Sequence, residues 1–309
     1  MAAITKIDLS HLIGREVGTS TLLKELDRGA MAVIFVAYQR TLKRQIAVKI
    51  LPKSRLTEAG AEMFQQEAEL AAILSHPNII QVYEVGSTEE FLFFTMQLIQ
   101  GKPLSYFIER AQKHVIPSRR FLDVSTTLDL LLAILDALAY AHSQGIIHRD
   151  VKASNILMEE HTRRPILMDF GISKSVRDPE SGKTAILGTP TNMAPEQVLG
   201  KDLDGRADIY ATGVLLFQML VSRLPVPPHE TTRELLRLKM NDRLFSKTPS
   251  EINPALTDEM DRIVRRATAL APEDRYADCR EFADDLRQYA ARHGAADQQG
   301  SNHGRTEMG

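Results

Sequence analysis

Strand-like sequence fills most of the first third of this chain, and helix-like sequence dominates the rest. Residues 20–51 and 80–99 are rich in Val, Ile, Phe and Tyr, which favours β-strands, and one helical stretch lies between them. Strands followed by a run of helices predict an α+β protein. The 309 residues, 43% of them hydrophobic, are enough for one two-lobed domain or two small domains.

Charge and cysteine content argue against several kinds of protein. The formal net charge of −2 gives no basic field that would hold nucleic acid or an anionic membrane surface. Cys279 is the only cysteine, which suits a reducing cytosol. Residues 1–14 lack the pattern of a secretory signal, and the apolar runs at 128–141 and 213–221 are better explained as buried helices than as membrane spans. We therefore expect a cytoplasmic protein that binds neither nucleic acid nor membrane.

The helical stretch between the strands carries a carboxylate on its apolar face. Glu67 lies four residues after Met63 and three before Leu70, so all three share one side of the helix. Burying an unpaired carboxylate is costly, so we expect Glu67 to meet a cation, and Lys49 at the end of the preceding strand is the natural candidate. The alternative is that Glu67 reaches the edge of the lobe and is solvated.

Two segments, HRDVKASNILM at 148–158 and PILMDFG at 165–171, place a cluster of polar groups in loops beside short apolar strands. Asn155 and Asp169 offer oxygen ligands to Mg²⁺. Lys152 offers positive charge to a moving phosphoryl group, and Asp150 can accept a hydroxyl proton. Each residue type alone is more often a turn residue or a helix cap. Together they are hard to explain as structure alone.

At these segments the sequence resembles the eukaryotic-type serine/threonine protein kinases, in a bacterial style. IAVK at 46–49 is similar to the family's strand-three lysine motif, and HRDVKASN to its catalytic loop. DFG at 169–171 is similar to the metal motif, and APE at 194–196 to the close of the activation segment. The order and the intervals of the motifs also fit the family.

The resemblance implies an α+β fold of the bilobal protein-kinase type over residues 20–290. A small β-rich N-lobe with one helix would cover residues 20–97, and a larger, mainly helical C-lobe would cover residues 100–290. Residues 1–19 would form an N-terminal extension. Residues 291–309 are polar and without periodicity, so we expect a disordered tail there.

The resemblance also implies the parts of the active centre. Lys49 would hold the α- and β-phosphates of ATP and pair with Glu67, which agrees with the argument from the helix face. The residues that the resemblance places at the catalytic centre are Asp150, Lys152, Asn155 and Lys49, with Asn155 and Asp169 as ligands of Mg²⁺. Two structural roles follow as well, because Asp208 is similar to the residue that braces the catalytic loop and Arg275 to the partner of Glu196.

An adenine pocket is implied by FFTMQLIQG at 93–101, which is similar to the segment that joins the two lobes. Met96 would be the gatekeeper, and Gln97 and Ile99 would present backbone groups to the base. From the residues alone, the apolar side chains here would be assigned to the core. The full set of implied ATP-binding residues is Asp27, Gly29, Ala32, Ile34, Ala47, Lys49, Glu67, Met96, Gln97, Ile99 and Leu157.

The phosphate-binding loop departs from the family pattern G-x-G-x-x-G-x-V. Gly29 still allows close approach of the backbone, and Ala32 adds only a methyl group. Asp27 would repel phosphates if it faces them, or accept a hydrogen bond from the ribose if it faces the sugar. The residues that stabilise charge during phosphoryl transfer lie elsewhere, and all of them are present. We therefore interpret the loop as one that holds ATP less well in a kinase that is still active.

Two further departures bear on partners. Asn192 stands where the family usually has an aromatic residue before the APE motif, which affects the substrate-binding surface. The stretch at 110–123 looks longer than the usual connection and is rich in basic residues, which suit either a docking patch or a solvated face.

Regulation is expected at the activation segment. Arg149 precedes Asp150, and in the family an arginine there lies close to the base and needs an anion to offset it. Ser181 and Thr184 lie in the middle of the segment, with Thr184 better placed for Arg149. A phosphate would add charge and acceptor oxygens that Arg149 could bind, so we expect autophosphorylation at Thr184. The alternative is a plain loop threonine in a segment that a partner orders.

Two other functions remain open. A pseudokinase, a nucleotide-binding scaffold that signals by shape, is supported by the eroded phosphate loop. A small-molecule phosphotransferase on a related fold would need neither the APE motif nor a long activation segment. For a protein kinase we expect ATP and Mg²⁺, protein substrates, and an input that arrives through a regulatory protein partner or a modification.

Overall fold

The computed structural model describes the backbone of residues 8–29, 32–56, 58–170, 191–227 and 231–300. Side chains are described over the same ranges except at 55, 58–60, 62, 63, 66, 67, 70 and 294–300. The chain divides into two compact units, the first formed by residues up to Gln100 and the second beginning at Gly101, with Phe170 grouped in the first.

The first unit is built on an antiparallel sheet with the strand order β1-β2-β3-β4-β6-β5. One α-helix, α1 (Glu58–Ile73), connects β4 and β5. The strands are β1 (Glu16–Val17), β2 (Ser20–Arg28), β3 (Val33–Gln39), β4 (Arg44–Pro52), β5 (Val82–Ser87) and β6 (Phe91–Met96).

Alternation along β3 and β4 explains how this sheet separates a core face from a face that can carry polar groups. Phe35 lies directly opposite Val48 in the register, and both are fully buried in the core of the unit. Since successive side chains of a strand point to opposite faces, Lys49 projects away from this core. The lysine is half-buried, opposite Ile34 of β3 and Phe94 of β6.

The second unit is mainly helical. A small antiparallel sheet of three strands, β7 (Gly101–Pro103), β8 (Ile156–Glu159) and β9 (Pro165–Leu167), has the order β7-β8-β9. The α-helices are α2 (Leu104–Gln112), α3 (Val124–Ser143), α4 (Pro195–Val198), α5 (Arg206–Val221), α6 (Thr232–Met240), α7 (Pro249–Ile252), α8 (Asp258–Ala267) and α9 (Cys279–Gly300).

Helices α3 and α5 form the interior of the second unit. Asp123 caps α3 by accepting the backbone N–H of Thr126 at 2.8 Å, and Gly145 follows the end of the helix with a left-handed φ of 75°. Nearly every residue of α5 is buried, which confirms that the apolar run at 213–221 belongs to a core helix. The described part of the chain contains no helix that is long and apolar enough to cross a membrane.

Residues 291–300, where we expected the tail to begin, are helical. Helix α9 continues to Gly300, since residues 295–300 contain no proline and include alanine and glutamine, which favour helix. Residues 301–309 lie outside the described residues. The expected strands over 20–51 and 80–99, with a single α-helix between them, are all present.

Candidate active site

One buried carboxylate accepts hydrogen bonds from the backbone of the loop between α3 and β8. Asp208, in the first turn of α5, accepts the backbone N–H groups of His148 at 2.8 Å and of Arg149 at 2.7 Å. His142 contributes a third contact, with its Nε2 at 2.8 Å from Oδ2 of Asp208. The predicted brace of the catalytic loop is therefore confirmed, and it fixes the backbone immediately before Asp150.

Three of the predicted catalytic residues meet in this loop. Lys152 donates from Nζ to Oδ2 of Asp150 at 2.9 Å. Asn155 donates from Nδ2 to the same oxygen at 3.0 Å and to the backbone carbonyl of Asp150 at 2.9 Å. These charge-assisted bonds orient the carboxylate. Asp150 is only 12% exposed at its side chain, while Lys152 is 35% exposed, so the cation lies nearer to solvent than the base.

His148 links the catalytic loop to the segment that carries Asp169, a role that we did not predict from the sequence. Its Nδ1 accepts the backbone N–H of Asp150 at 3.2 Å, so the ring proton lies on Nε2, which donates to the carbonyl of Met168 at 2.9 Å. Burial lowers the pKa of His148, which keeps the imidazole neutral. The apolar residues Ile146 and Ile147 before it were the signal that this histidine would be buried.

The residues predicted to bind metal have suitable donor atoms. The amide nitrogen of Asn155 faces Asp150, which leaves its carbonyl oxygen as the atom that could reach a cation. The backbone N–H of Met168 donates to the carbonyl of Asn155 at 2.9 Å, and Asp169 follows with a left-handed φ of 54°.

No group of three His, Cys, Asp or Glu side chains that could hold a metal occurs in the described ranges. A divalent ion that is held partly by the phosphates of a nucleotide needs only a few protein ligands, and Asn155 and Asp169 offer one amide oxygen and one carboxylate. Asn155 and Asp169 therefore fit such an ion, and their part in binding it stays a prediction.

Lys49 lies in the first unit, on the face of β4 that points away from the core. Its Nζ lies 5.6 Å from the centroid of the Phe94 ring. Ala47, two residues earlier on the same face, is buried and lies opposite Met96, which is also buried. The side chain of Glu67 lies outside the described residues, so its predicted ion pair with Lys49 stays a prediction.

The predicted phosphate-binding loop connects β2 to β3. Asp27 lies opposite Ile34 in the register, and the backbone N–H of Gly29 donates to the carbonyl of Ala32 at 2.9 Å. A Cβ atom added at Gly29 would come no closer than 3.5 Å to any described atom, which is ordinary contact. Packing among the described residues therefore does not require glycine there, whereas close approach of a ligand would. Asp27 is exposed, and its Oδ1 accepts the backbone N–H of Arg28 at 2.8 Å.

The segment predicted to contact adenine follows β6. The backbone N–H of Gln97 already donates to the carbonyl of Gln81 at 2.9 Å, so the predicted contact with the base rests on the Gln97 carbonyl. Ile99 is half-buried in the first unit. Leu157 is half-buried on β8 of the second unit. The adenine-binding role of these residues stays a prediction.

The region after the activation segment is anchored by a buried ion pair. Arg275 donates to the two carboxylate oxygens of Glu196 at 2.6 and 2.8 Å, which confirms the predicted partnership. Gln197, the next residue of α4, donates from Nε2 to the backbone carbonyl of Arg149 at 2.7 Å. The APE motif is thereby tied to the catalytic loop.

The predicted regulatory residues are only partly described. The Nε atom of Arg149 is buried and has no hydrogen-bond partner among the described residues. Ser181 and Thr184 lie outside the described residues, as does Gly171 of the DFG motif.

Comparison with known proteins decides the family. A family model described as "Protein kinase domain" matches residues 20–287. The chain belongs to the protein kinase family. It is 32% identical over 289 residues to the serine/threonine-protein kinase Pkn1 of Myxococcus xanthus, and 32% identical over 303 residues to the tyrosine-protein kinase MasK of the same species. These matches cover 91% and 94% of this chain but only 40% and 46% of the relatives, so the chain spans less than half of their length.

The crystal structure of the PknI kinase domain of Mycobacterium tuberculosis is similar to this kinase, with a TM-score of 0.71 and 28% identity. The similarity covers 90% of this chain and 98% of the PknI domain. The predicted bilobal kinase fold and the predicted family of bacterial serine/threonine kinases are confirmed. The family implies use of ATP, typically with a divalent metal ion, and protein substrates.

Proposed function

We propose that this kinase transfers the γ-phosphoryl group of Mg-ATP to serine and threonine hydroxyls of protein substrates. The observation that supports this most strongly is the arrangement of Lys152 and Asn155 around Asp150, at 2.9 and 3.0 Å from one carboxylate oxygen. A carboxylate oriented in this way can accept the proton of an attacking hydroxyl while a cation lies beside the position of the moving phosphoryl group.

Each residue then has one task. Asp150 accepts the hydroxyl proton, and Lys152 stabilises negative charge that develops on the phosphoryl oxygens. Asn155 and Asp169 would hold Mg²⁺, which neutralises the phosphates when it is bound. Lys49 would position the α- and β-phosphates. His148 and Asp208 do not touch the reacting atoms but fix the backbone on which Asp150 lies.

Incubation with labelled Mg-ATP and a generic acceptor protein tests this proposal against the alternatives. A protein kinase places the label on the acceptor protein as phosphoserine or phosphothreonine. Label that appears only on a small metabolite would support the phosphotransferase alternative. Nucleotide binding without any transfer would support the pseudokinase, for which the substitution of two loop glycines by Asp27 and Ala32 is the motivating observation.

Autophosphorylation of Thr184 is part of the proposal, with Ser181 as the other candidate. Arg149 supports it, because a buried guanidinium nitrogen without a partner among the described residues would gain from an anion. Arg149 has a positive φ of 65°, and its backbone N–H donates to Asp208 at 2.7 Å. The hydrogen bond holds the backbone from which the Arg149 side chain projects.

A regulatory protein partner is proposed as well, and the basic stretch at 110–123, which begins in the last turn of α2, is the surface that we assign to it. Arg110, Lys113, Arg119 and Arg120 are exposed, together with Val115 at 88% exposure. Charge complementarity points to an acidic segment with an apolar residue as the occupant. An acidic peptide should bind wild type in a salt-dependent manner and lose affinity when Arg119 and Arg120 are changed to Glu. Absence of binding would show a solvated face.

We also propose that the protein acts in the cytoplasm and on proteins and not on nucleic acids. The support is indirect. Cys279 is buried and is the only cysteine, so the fold needs no oxidising compartment. Cell fractionation followed by immunodetection tests the location, and detection of the protein only in membranes or outside the cell would contradict it.

A further inference from the structure

Lys239 is a buried lysine whose charge is directed at backbone carbonyls. It is 1% exposed, and none of the described carboxylates lies within salt-bridge distance of its Nζ. The ammonium donates to the carbonyl of Thr191 at 2.7 Å and also to the carbonyl of Met193. It lies 4.8 Å from the centroid of the Tyr210 ring, a favourable distance for a cation above an aromatic face.

Packing alone does not account for a lysine at this position. Lys239 and Leu235 are the buried residues of α6 and lie one turn apart, so Lys239 occupies the apolar face of the helix. Removing an ammonium from water is costly, and lysine is almost never fully buried without a partner. A methionine would fill a similar space without that cost. What the lysine adds is therefore the pair of bonds to Thr191 and Met193.

The two carbonyls flank Asn192, the residue that replaces the aromatic side chain usual in the family. The Nδ2 atom of Asn192 is buried and has no hydrogen-bond partner among the described residues, so no described hydrogen bond from this amide nitrogen anchors the segment. Lys239 instead anchors the backbone on both sides of it. The APE motif that follows is tied to Arg275 through Glu196, and Gln197, the residue after the motif, bonds to the catalytic loop.

We propose that Lys239 is a positioning residue that fixes segment 191–193 for binding of the protein substrate, in place of the missing aromatic side chain. This inference rests on the proposed kinase function, because the resemblance to the family is what assigns the segment to the substrate. It predicts that the charge on Lys239 governs the KM for a protein substrate and not the KM for ATP.

The surroundings make that charge sensitive to pH near neutrality. Burial lowers the pKa of Lys239 to about 7, Arg275 lowers it further, and Glu196 opposes the shift. Tyr210 stays neutral because burial raises the pKa of its phenol. Besides Arg275 and Glu196, the charged group that acts on this phenol is Asp242, which raises its pKa further. As the pH rises above 7, the ammonium becomes an amine and its bonds to the carbonyls lose their charge assistance. The KM for protein substrate should therefore rise with pH.

Kinetics of wild type, Lys239→Met and Lys239→Arg between pH 6 and pH 9 test the inference. At pH 6.5 we expect Lys239→Met to raise the KM for a protein acceptor by about tenfold, equivalent to one lost hydrogen bond. Its KM should no longer change with pH, and its KM for ATP should match wild type. Lys239→Arg, which is charged at every pH tested, should restore a low KM without pH dependence. Lys247→Met, at an exposed lysine of the same unit, is the matched control and should behave as wild type.

Amide hydrogen exchange of a peptide that covers residues 191–198 reports the same contact without any phosphoryl transfer. We expect faster exchange in Lys239→Met than in wild type, and faster exchange in wild type at pH 8.5 than at pH 6.5 after correction for the intrinsic rate. Unchanged exchange in both comparisons, or a pH profile of the KM that Lys239→Arg shares with wild type, would overturn the inference. Altered exchange in a protein that transfers no phosphate would overturn the kinase function and leave the positioning role of Lys239 intact.

Discussion

Asp150 and Asp169 are carboxylates on neighbouring loops, and their surroundings suit different tasks. Asp150 is held by hydrogen bonds from Lys152 and Asn155, which orient it as a base. Asp169 follows Met168, whose backbone is bonded to Asn155, and has a left-handed backbone conformation. The first arrangement suits the predicted proton transfer, and the second ties the backbone just before the predicted ligand Asp169 to that of the other predicted ligand, Asn155.

We expect substitutions of Asp169 and Asp150 to have different effects on the affinity for nucleotide. Asp169→Asn should weaken the binding of a non-hydrolysable Mg-ATP analogue, because it removes the carboxylate ligand of the metal. Asp150→Asn should leave that affinity close to wild type. Titration calorimetry measures both, with Asp129→Asn on the exposed side of α3 as the control. Wild-type affinity in Asp169→Asn would show that this residue does not hold the metal.

Asp27 provides a second test at the residue scale. Its carboxylate is exposed at a position that the family reserves for glycine, so it should act on the phosphates in ground and transition states alike. Asp27→Gly should therefore lower the KM for ATP while kcat changes little, and Asp27→Asn should give most of the effect if charge is the cause. Steady-state kinetics with varied Mg-ATP measure this. A raised KM would instead indicate a hydrogen bond from Asp27 to the ribose.

Lys239 should also leave a signature in stability. Its pKa falls from an ordinary 10.5 to about 7 in the folded protein, so between these values the unfolded chain holds a proton that the folded chain has released. The free energy of unfolding should therefore rise with pH through this window. Urea unfolding between pH 6.5 and pH 9.5 should show the free energy of unfolding of wild type rising with pH relative to that of Lys239→Met. A constant difference between the two proteins would contradict the lowered pKa.

Helices and strands could be predicted from the sequence wherever one spacing of apolar residues continued through the whole segment. The strands of the first unit and helices α3 and α5 follow directly from apolar spacing, and Gly145 marks the end of α3 by its left-handed backbone. The catalytic loop was predictable for another reason, because its groups Asp150, Lys152 and Asn155 lie within six residues of one another. Short separation along the chain largely fixes their distances.

Contacts between distant elements could not be predicted in this way. Lys239 reaches Thr191 across 48 residues, and nothing in the pattern of α6 shows which polar group faces a lysine on its apolar face. The linking role of His148 was missed for the same reason, since its partner Met168 follows β9, 20 residues later in the chain. Residues 291–300 were expected to be disordered because of their polar composition, although several of them also favour helix.

Autophosphorylation of the activation segment can be tested directly. After incubation with Mg-ATP, mass spectrometry should find phosphate on Thr184 of wild type and none on Lys49→Met, which cannot hold the nucleotide phosphates. Thr184→Ala should have a reduced rate, because Arg149 then lacks its anion. Ser181→Ala is the matched control and should stay near wild type. An active enzyme that remains unmodified at Thr184, or Thr184→Ala at the full wild-type rate, would refute autoactivation through this residue.

At the scale of the whole molecule, the predicted tasks are divided between the two units. Lys49 and most of the residues predicted to contact the nucleotide belong to the first unit, whereas the predicted base and the predicted metal ligands belong to the second. The resemblance to the kinases implied this division, and the order of a strand-rich segment before a helix-rich segment along the chain agrees with it. The protein substrate could not be predicted, since no motif of the sequence specifies it and the role proposed for segment 191–193 rests on contacts between distant residues.

Transfer of labelled phosphate from Mg-ATP to a generic acceptor protein, by wild type and by Asp150→Asn, is the measurement that addresses the proposed mechanism most directly. Asparagine keeps the shape of the side chain and removes the base. We expect wild type to produce phosphoserine and phosphothreonine, and Asp150→Asn to transfer phosphate more slowly by roughly 10²- to 10⁴-fold. A wild-type protein that binds Mg-ATP but labels no acceptor, or Asp150→Asn at close to the wild-type rate, would contradict the assignment of Asp150 as the base of a working kinase.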